Sequence, residues 1–289
     1  MKRLGLVLGG GGLKGLAHIG VLQVLVENKI PIASISGTSS GSIIAALFAS
    51  GMSPYRMEEV VLNLKPSDYL DYNITGIIRY GLSLMIPGEN YSLDGLIKGE
   101  KLESQVAYLT NYQSLGQVKI PLAIIACDIN TGQEVIFCNQ DYPTANSQAV
   151  IVQDALLSEA VRCSTSIPGV FVPRRFNGMS LVDGGLKAVV PVAIQLAMGA
   201  EFITTVNLGK ESYVERVSGI PQIIGRAIDI LIYETSDTAE TLFADLCIYP
   251  NVPDVRLDEL YKAPFIIRAG RRAMLAHLQK LKKGLQCSL

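Results

Sequence analysis

Four consecutive glycines at positions 9–12, with a fifth at Gly15, constrain this chain more than any other feature. The apolar run Leu4–Leu8 before them reads as a short buried strand. After them Leu13, Leu16, Ala17, Gly20, Val21, Val24 and Leu25 recur at helical spacing, which predicts a helix with one buried face. A strand, a glycine turn and a helix in that order aim backbone N–H groups from a helix N-terminus, where the dipole favours negative charge. The pattern G-x-G-x-x-G at Gly10, Gly12 and Gly15 admits two anions, a dinucleotide pyrophosphate or the oxyanion of a tetrahedral acyl intermediate. It also admits a turn that serves close packing only. A dinucleotide site calls for an acid at the end of the second strand, and here Ile32–Ser36 runs into Gly37 without one. A phosphate-binding P-loop fails because Lys14 precedes Gly15 rather than following it.

The second strand leads into Gly37-Thr38-Ser39-Ser40-Gly41, a G-x-S-x-G. Alone the motif is weak. Its place between a strand and the apolar helix Ser42–Ala49 sharpens it, since flanking glycines permit a tight bend that exposes the central hydroxyl. The following helix favours an oxyanion near its N-terminus. Ser40 and Ser42 also suit helix capping.

A nucleophilic serine needs a base, and the chain has two histidines. His18 lies in the first helix and reads as a packed or half-exposed residue. His277 lies in a basic helical stretch, Arg268–Lys283. The order Ser39, an aspartate, His277 mimics an α/β-hydrolase triad, but in that fold several strands precede the nucleophile, and here one precedes the serine's own. The better candidate is Asp183, where the apolar strand Leu181-Val182 ends in an acid followed by Gly184-Gly185. Its alternative role is to cap a helix over Lys187–Met198.

Elsewhere the pattern predicts a helix start at Ser53-Pro54, an irregular or helical insertion over Lys65–Gly99 of the kind that lids a site, and a strand at Ile120–Ala126. Hairpins are predicted at Asn130-Thr131-Gly132 and, more strongly, at Asn177-Gly178. Pro191–Met198 reads as a helix ended by Gly199, Ile203–Leu208 as a strand, and the chain from about Ile220 as mostly helical, with a short strand near Cys247–Tyr249. The expected architecture is one α/β core over 4–208, with a mostly parallel sheet and helices on both faces, and a helical extension over 209–289.

Composition closes off other classes. Apolar residues are 49% of the 289 and charged residues 18%, too apolar for a disordered chain, and the net charge of −1 offers no basic field for nucleic acid. Five scattered cysteines (Cys127, Cys138, Cys163, Cys247 and Cys287) suggest no disulfide framework and fit a reducing cytoplasm. No secretory signal is expected, and the charge-free stretch from Pro31 to Tyr55 is too interrupted by Pro and Gly to span a membrane. With two distant histidines, neither a metal site nor a cofactor is expected.

Gly10–Gly15 with Leu16-Ala17-His18-Ile19-Gly20, the early Gly37–Gly41, the stretch Arg162–Phe171, the late Asp183–Gly185 and Pro191-Val192 together resemble the patatin-like phospholipase family. The resemblance covers about Leu4–Leu208. It implies a Ser–Asp dyad with Ser39 as nucleophile and Asp183 as base, and an oxyanion loop of Gly10, Gly11 and Gly12. Lys14, Gly15, Gly37, Gly41, Gly184 and Gly185 support the motifs, with no histidine and no metal in the reaction. A lipid acyl hydrolase is implied, acting on phospholipid or lysophospholipid esters. A lipid acyltransferase and a catalytically weak lipid-binding module are the alternatives. Cys163, Ala188 and Val189 depart from the family's Ala and Asn, and the missing amides put the hold on Asp183 in question. The tail from Leu260 carries seven basic residues and no acid. With Leu275, Leu278 and Leu281 beside them, these allow a helix on an anionic bilayer, or a solvated face.

Overall fold

A computed structural model describes residues 1–86, 91–142, 148–209, 216–219 and 240–286, with single positions 223, 226, 227, 230 and 238 between them. Most of the first twenty residues of the predicted helical stretch from Ile220, and Cys287, lie outside the described residues. The strands are β1 (Leu4–Leu8), β2 (Ile32–Thr38), β3 (Gly95–Ile97), β4 (Leu122–Asp128), β5 (Glu134–Cys138), β6 (Val150–Val152), β7 (Gly169–Phe171), β8 (Arg174–Phe176), β9 (Met179–Asp183), β10 (Phe202–Val206) and β11 (Leu246–Ile248). The helices are α1 (Ala17–Glu27), α2 (Ser40–Ala49), α3 (Pro54–Asn63), α4 (Pro66–Tyr69), α5 (Ile74–Ser83), α6 (Glu100–Leu109), α7 (Leu157–Ser164), α8 (Gly185–Ala188), α9 (Ala193–Ala197) and α10 (Ala263–Gln286).

The main sheet runs β11-β10-β1-β2-β4-β5-β6. From β11 to β4 every pairing is parallel, and β5 then pairs β4 antiparallel. Alternate residues of the central strands face two different cores. Leu4, Leu6, Leu8, Ile35, Leu122 and Ile124 meet residues of α1, α2, α7 and α10 on one side. Val7, Ile203, Ala123 and Ile125 face the 189–198 segment on the other. Burial on both faces is why these strands read as unbroken apolar runs. The α/β class with a mostly parallel sheet and helices on both faces is as the sequence led us to expect.

Strand β9 carries the detail that matters for function. On β4, Ile125 pairs with Thr38 of β2, and the next residue, Ala126, pairs with Asp183 of β9. Ala126 also pairs with Val135 of β5, which occupies the other edge. So β9 takes over the edge of β4 where β2 leaves it. The Asn177-Gly178 hairpin delivers β9 there, with φ of 47° and 79° at its two central residues, the double positive φ of a tight hairpin.

Three local expectations change. Strand β2 runs two residues further than the apolar pattern suggested and β4 begins and ends two residues later, because cross-strand pairing carries their ends on. The insertion over Lys65–Gly99 holds α4, α5 and a short strand, β3, which pairs β7. The single helix expected over Lys187–Met198 is two short ones, α8 and α9. Pro191 lacks the N–H that would continue the first, and the residue before a proline is disfavoured in a helix.

The leucines of the basic tail are the larger difference. Helix α10 buries Ile266, Ile267, Met274, Leu281 and Leu285, and Leu278 packs partly against the same core. Of the three leucines expected to meet a bilayer only Leu275 is exposed. Arg271 pairs with Glu27 at 2.6 Å, and the Lys282 ammonium donates to Asn28 Oδ1 at 2.7 Å. This helix closes the protein's own core against α1. The approach is close: a Cβ on Gly270 would lie 1.9 Å from the Ala17 carbonyl oxygen, and one on Gly20 2.0 Å from that of Ile267. Among the described residues no helix is long and apolar enough to cross a membrane.

Gly270→Ala must therefore push the two helices apart, and we expect it to cost about 1–3 kcal/mol in urea denaturation, the usual range for overpacking. Gly81→Ala, in α5, meets nothing within 4 Å. It should instead be neutral or stabilising by about 0.5–1 kcal/mol through reduced backbone entropy. Equal effects at the two sites would show that the helix contact is not the cause.

Candidate active site

The glycine turn after β1 and the serine turn after β2 come together at the carboxyl ends of adjacent parallel strands. Ser39 has φ 52° and ψ −125°, a conformation that side-chain-bearing residues rarely adopt. The turn is held from several directions. The Ser39 N–H donates to Ser164 Oγ at 2.9 Å, and the Ser42 hydroxyl and N–H both donate to the Ser39 carbonyl, at 2.6 and 2.9 Å. Gly41 follows because a Cβ there would sit 2.0 Å from the Leu8 carbonyl oxygen. Thus α2 begins hard against the end of β1, and the serine turn touches the glycine turn. A Cβ on Gly10 would lie 3.2 Å from Ser39 Cβ, and one on Gly15 would strike Ser40. Gly37 packs on Gly41, and Gly184 on the Ile125 carbonyl.

Asp183 is buried at the end of β9. Its carboxylate accepts a hydrogen bond from the Gly185 N–H at 2.8 Å and lies beside the Ser39 side chain. Its own N–H donates to the Ser166 carbonyl at 2.9 Å. Desolvation raises its pKa from the ordinary 3.8 to about 6, against the opposing pull of the Ser39 side chain and the Gly185 N–H. The role of helix cap is filled only in part, since Gly185 opens the four-residue α8 and not the long helix once expected. Ala188 and Val189 hold this region through their main chain: Thr38 Oγ1 donates to the Ala188 carbonyl at 2.7 Å, and the Gly10 N–H to the Val189 carbonyl at 2.9 Å. The carboxylate's hold therefore does not depend on amide side chains at those two positions.

That last bond corrects one expectation. The Gly10 N–H is committed to Val189 and is not free to meet an oxyanion. The N–H groups of Gly11 and Gly12 open the helical turn Gly12–Leu16, where no earlier carbonyl of the helix reaches them. Lys14 is buried, and its Nζ donates to the Leu208 carbonyl at 2.9 Å and lies 4.0 Å from Asp254. It ties the glycine turn to the loop beyond β10.

His18 is fully buried, not half-exposed. Its Nε2 lies 2.8 Å from the Gly9 carbonyl, so that nitrogen carries the proton and donates, while burial lowers the ring's pKa to about 4. It braces the glycine turn from inside α1 as a neutral ring. His277 sits on α10 with Nδ1 held by the Ala273 carbonyl at 2.9 Å and does not line the site. Arg162 is a further support that residue chemistry alone did not single out. It is buried, and donates to Ser166 Oγ and to the Lys98 and Val172 carbonyls at 2.5, 2.5 and 2.7 Å. Through these bonds it fixes the 164–172 segment around Asp183. No local signal marks it, because its partners are mostly main-chain oxygens distant in sequence.

Ser39 opens onto a cavity of about 1090 Å³, counting the part open to solvent. Its walls are apolar side chains of α2, α3 and α6, together with Tyr69, Leu70, Ile167, Phe171 and Leu257. Among the described residues no group of three His, Cys, Asp or Glu side chains could hold a metal ion.

Comparison with known proteins adds the following. The profile of the family described as patatin-like phospholipase matches residues 6–195. An uncharacterised NTE family protein of Mycobacterium bovis is 28% identical over 234 residues, 81% of this chain and 57% of that one. A lysophospholipase NTE1 of Pyricularia oryzae is 25% identical over 306 residues, 97% of this chain and 19% of that one. The chain thus spans little more than half the length of the mycobacterial relative and a fifth of the fungal one. The crystal structure of VipD from Legionella pneumophila has a like fold, with a TM-score of 0.50 and 13% identity over 97% of this chain and 67% of that one.

The raised Asp183 pKa sets a stability test. A folded-state value above the unfolded one means that the folded protein holds this proton more tightly. The group's contribution is fully present below about pH 4 and is lost as the pH rises through 6. A gap of that size corresponds to about 3 kcal/mol at most. Asp183→Asn keeps the Gly185 bond and removes the buried charge. We expect it to be more stable than wild type at pH 8 in urea denaturation, and the difference to shrink toward pH 4. A variant less stable at pH 8 would mean that the carboxylate contributes to the fold by its charge.

Proposed function

Since the chain belongs to the patatin-like phospholipase family, we propose that it is a serine lipid acyl hydrolase in which Ser39 and Asp183 act as a dyad. The observation that carries this reading is Ser39, held at positive φ at the mouth of an apolar cavity, beside the buried carboxylate that ends the neighbouring strand. A carboxylate of ordinary pKa is a weak base toward a serine hydroxyl. Raising it to about 6 by burial makes the proton transfer less uphill while leaving Asp183 ionised at neutral pH.

The steps follow from the placement. An acyl chain enters the apolar cavity and brings its ester carbonyl over Ser39. The Ser39 oxygen attacks the carbonyl carbon as Asp183 takes its proton. The negative charge moves to the carbonyl oxygen, which meets the N–H groups of Gly11 and Gly12 and the N-terminus of α2. The tetrahedral intermediate collapses, the alcohol leaves with the proton from Asp183, and an acyl-Ser39 ester remains. Water then attacks this ester, Asp183 again accepts the proton, and the fatty acid is released as Ser39 regains it. No histidine takes part, and His18, neutral and buried, positions the glycine turn.

The cavity's apolar walls select for an acyl chain, and lipid esters are the substrate class we assign. The four described cysteines are free thiols, which suits the reducing cytoplasm we propose as its setting.

The test is turnover on a panel of phospholipid and lysophospholipid esters with fatty acid release as the readout, together with labelling by a fluorophosphonate probe. Ser39→Ala should abolish both while the circular dichroism spectrum stays unchanged. For the wild type, kcat/KM should fall as the pH drops below about 6, since protonated Asp183 cannot act as base, and should level off above it. Asp183→Asn should lose about 10²–10⁴ in rate. Normal turnover in either variant would overturn the dyad, and transfer of the acyl group to an added alcohol in place of water would mark a transferase.

A further inference from the structure

Helix α5 and the three residues after it invert the usual rule for a surface helix. The buried residues of α5 are Gly76 and Ser83. Its large apolar side chains point outward: Ile74, Ile77, Ile78 and Leu82 are exposed, and so are Leu84 and Met85 just beyond, Met85 at 79%. The stretch 72–86 carries one charge, Arg79, which lies over the Tyr91 ring at 4.7 Å. The helix is fastened at its start: the Asn73 side chain accepts from the Gly76 N–H and donates to the Gly95 carbonyl, and the Asn73 N–H donates to the Leu96 carbonyl. A fixed helix that shows water its apolar face marks a surface with a partner.

We infer that this face is where the protein docks on a lipid bilayer, with α5 lying in the interface plane. The choice of a bilayer rests on the lipid-hydrolase reading above and on two observations. The first is continuity with the cavity. Tyr69 and Leu70 line it, and Asn73 is three residues further on, no more than about 10 Å of chain. Beneath α5, β3 pairs with β7, so that Ile97 packs with Leu70 and the cavity residue Phe171. A lipid drawn from a layer under α5 therefore meets apolar side chains from the surface to Ser39. The second is chemistry: Ile74, Ile77, Ile78, Leu82, Leu84 and Met85 face solvent with a single charge, Arg79, among them, and apolar side chains shown on one face of a helix insert between headgroups and acyl chains.

The experiment uses the full chain with Ser39→Ala, so that binding is read apart from turnover. Sedimentation with neutral phosphatidylcholine vesicles should pull the protein down. Ile78→Glu and Met85→Glu together should cut the bound fraction at least ten-fold with the melting midpoint unchanged. In the otherwise native enzyme the same pair should lower hydrolysis of vesicle-borne lipid by a similar factor and leave a water-soluble short-chain ester unaffected, since neither residue lines the cavity. If no ester is hydrolysed but the vesicle binding behaves as stated, the docking face stands and the hydrolase reading falls. Vesicle binding that survives the double substitution, or is absent from the start, overturns the inference. So does a dimer in analytical ultracentrifugation that the substitution dissociates, because the face would then belong to a second copy.

Discussion

One edge of β4 determines where Ser39 and Asp183 meet. Thr38 ends β2 opposite Ile125, and Asp183 ends β9 opposite Ala126, so the residues that follow and end these strands face each other across a single step of backbone. The bonds that set this spacing are main-chain ladder bonds, which vary little with side-chain identity. The chain then has to turn out of the sheet at once on both strands. At Ser39 it does so at positive φ, and at Gly184 it passes so near the Ile125 carbonyl that a Cβ would lie 2.1 Å away. The glycine motifs at 37–41 and 184–185 are consequences of that junction.

Ser39 and Asp183 are both held in unfavourable states. A side-chain-bearing residue in a sparsely populated backbone region costs about 1–3 kcal/mol. A buried carboxylate with no cation beside it costs a comparable amount, seen in its raised pKa. Such states persist only where the surroundings over-determine them. Ser164, Ser42 and Gly185 each contribute a bond to one of the two residues, and Arg162 anchors the segment that carries Ser164 and Ser166. The core on the α1, α2, α7 and α10 face supplies the stability that offsets this local cost.

How much of this was legible in the sequence depended on range. Local signals read well: Ser53-Pro54 begins α3, Asn177-Gly178 turns a hairpin, and Leu4–Leu8 is a strand bounded by glycine. The strand-to-helix turn at Ser39 was legible because strand, G-x-S-x-G and helix are contiguous. The meeting of Ser39 with Asp183 was not, since it depends on a register across β4: an acid ending an apolar strand before two glycines made Asp183 the better candidate base, and the resemblance to a known family implied the dyad, but neither gives the spacing. The commitment of the Gly10 N–H to Val189 was equally out of reach. For α10 the periodicity gave an apolar stripe but not what covers it, so leucines that pack on α1 and the sheet were read toward a bilayer. For α5 the same ambiguity ran the other way, since an apolar face says nothing of which side the protein keeps.

The two buried titratable groups at the site shift in opposite senses, and together they set its charge. Burial lowers His18 to about 4 and raises Asp183 to about 6, so from just above pH 6 through neutral pH the ring is uncharged and the carboxylate carries the one formal negative charge of the pair. In the proposed reaction that charge is relocated and its amount is conserved. As Ser39 attacks, the proton passes to Asp183, which becomes neutral, and the negative charge appears on the substrate oxygen beside Gly11 and Gly12. No new charge has to be created in an apolar site, which is the step that burial would otherwise penalise most. A histidine base would work differently, because a neutral ring that took the proton would create a cation and an anion together and would need a carboxylate behind it. A dyad of serine and buried aspartate avoids that separation. It requires only that the oxyanion's surroundings be better for negative charge than those of Asp183. Dipoles of main-chain N–H groups at two helix starts supply that difference at fixed positions, which is why the glycine turn and the start of α2 are packed directly against each other.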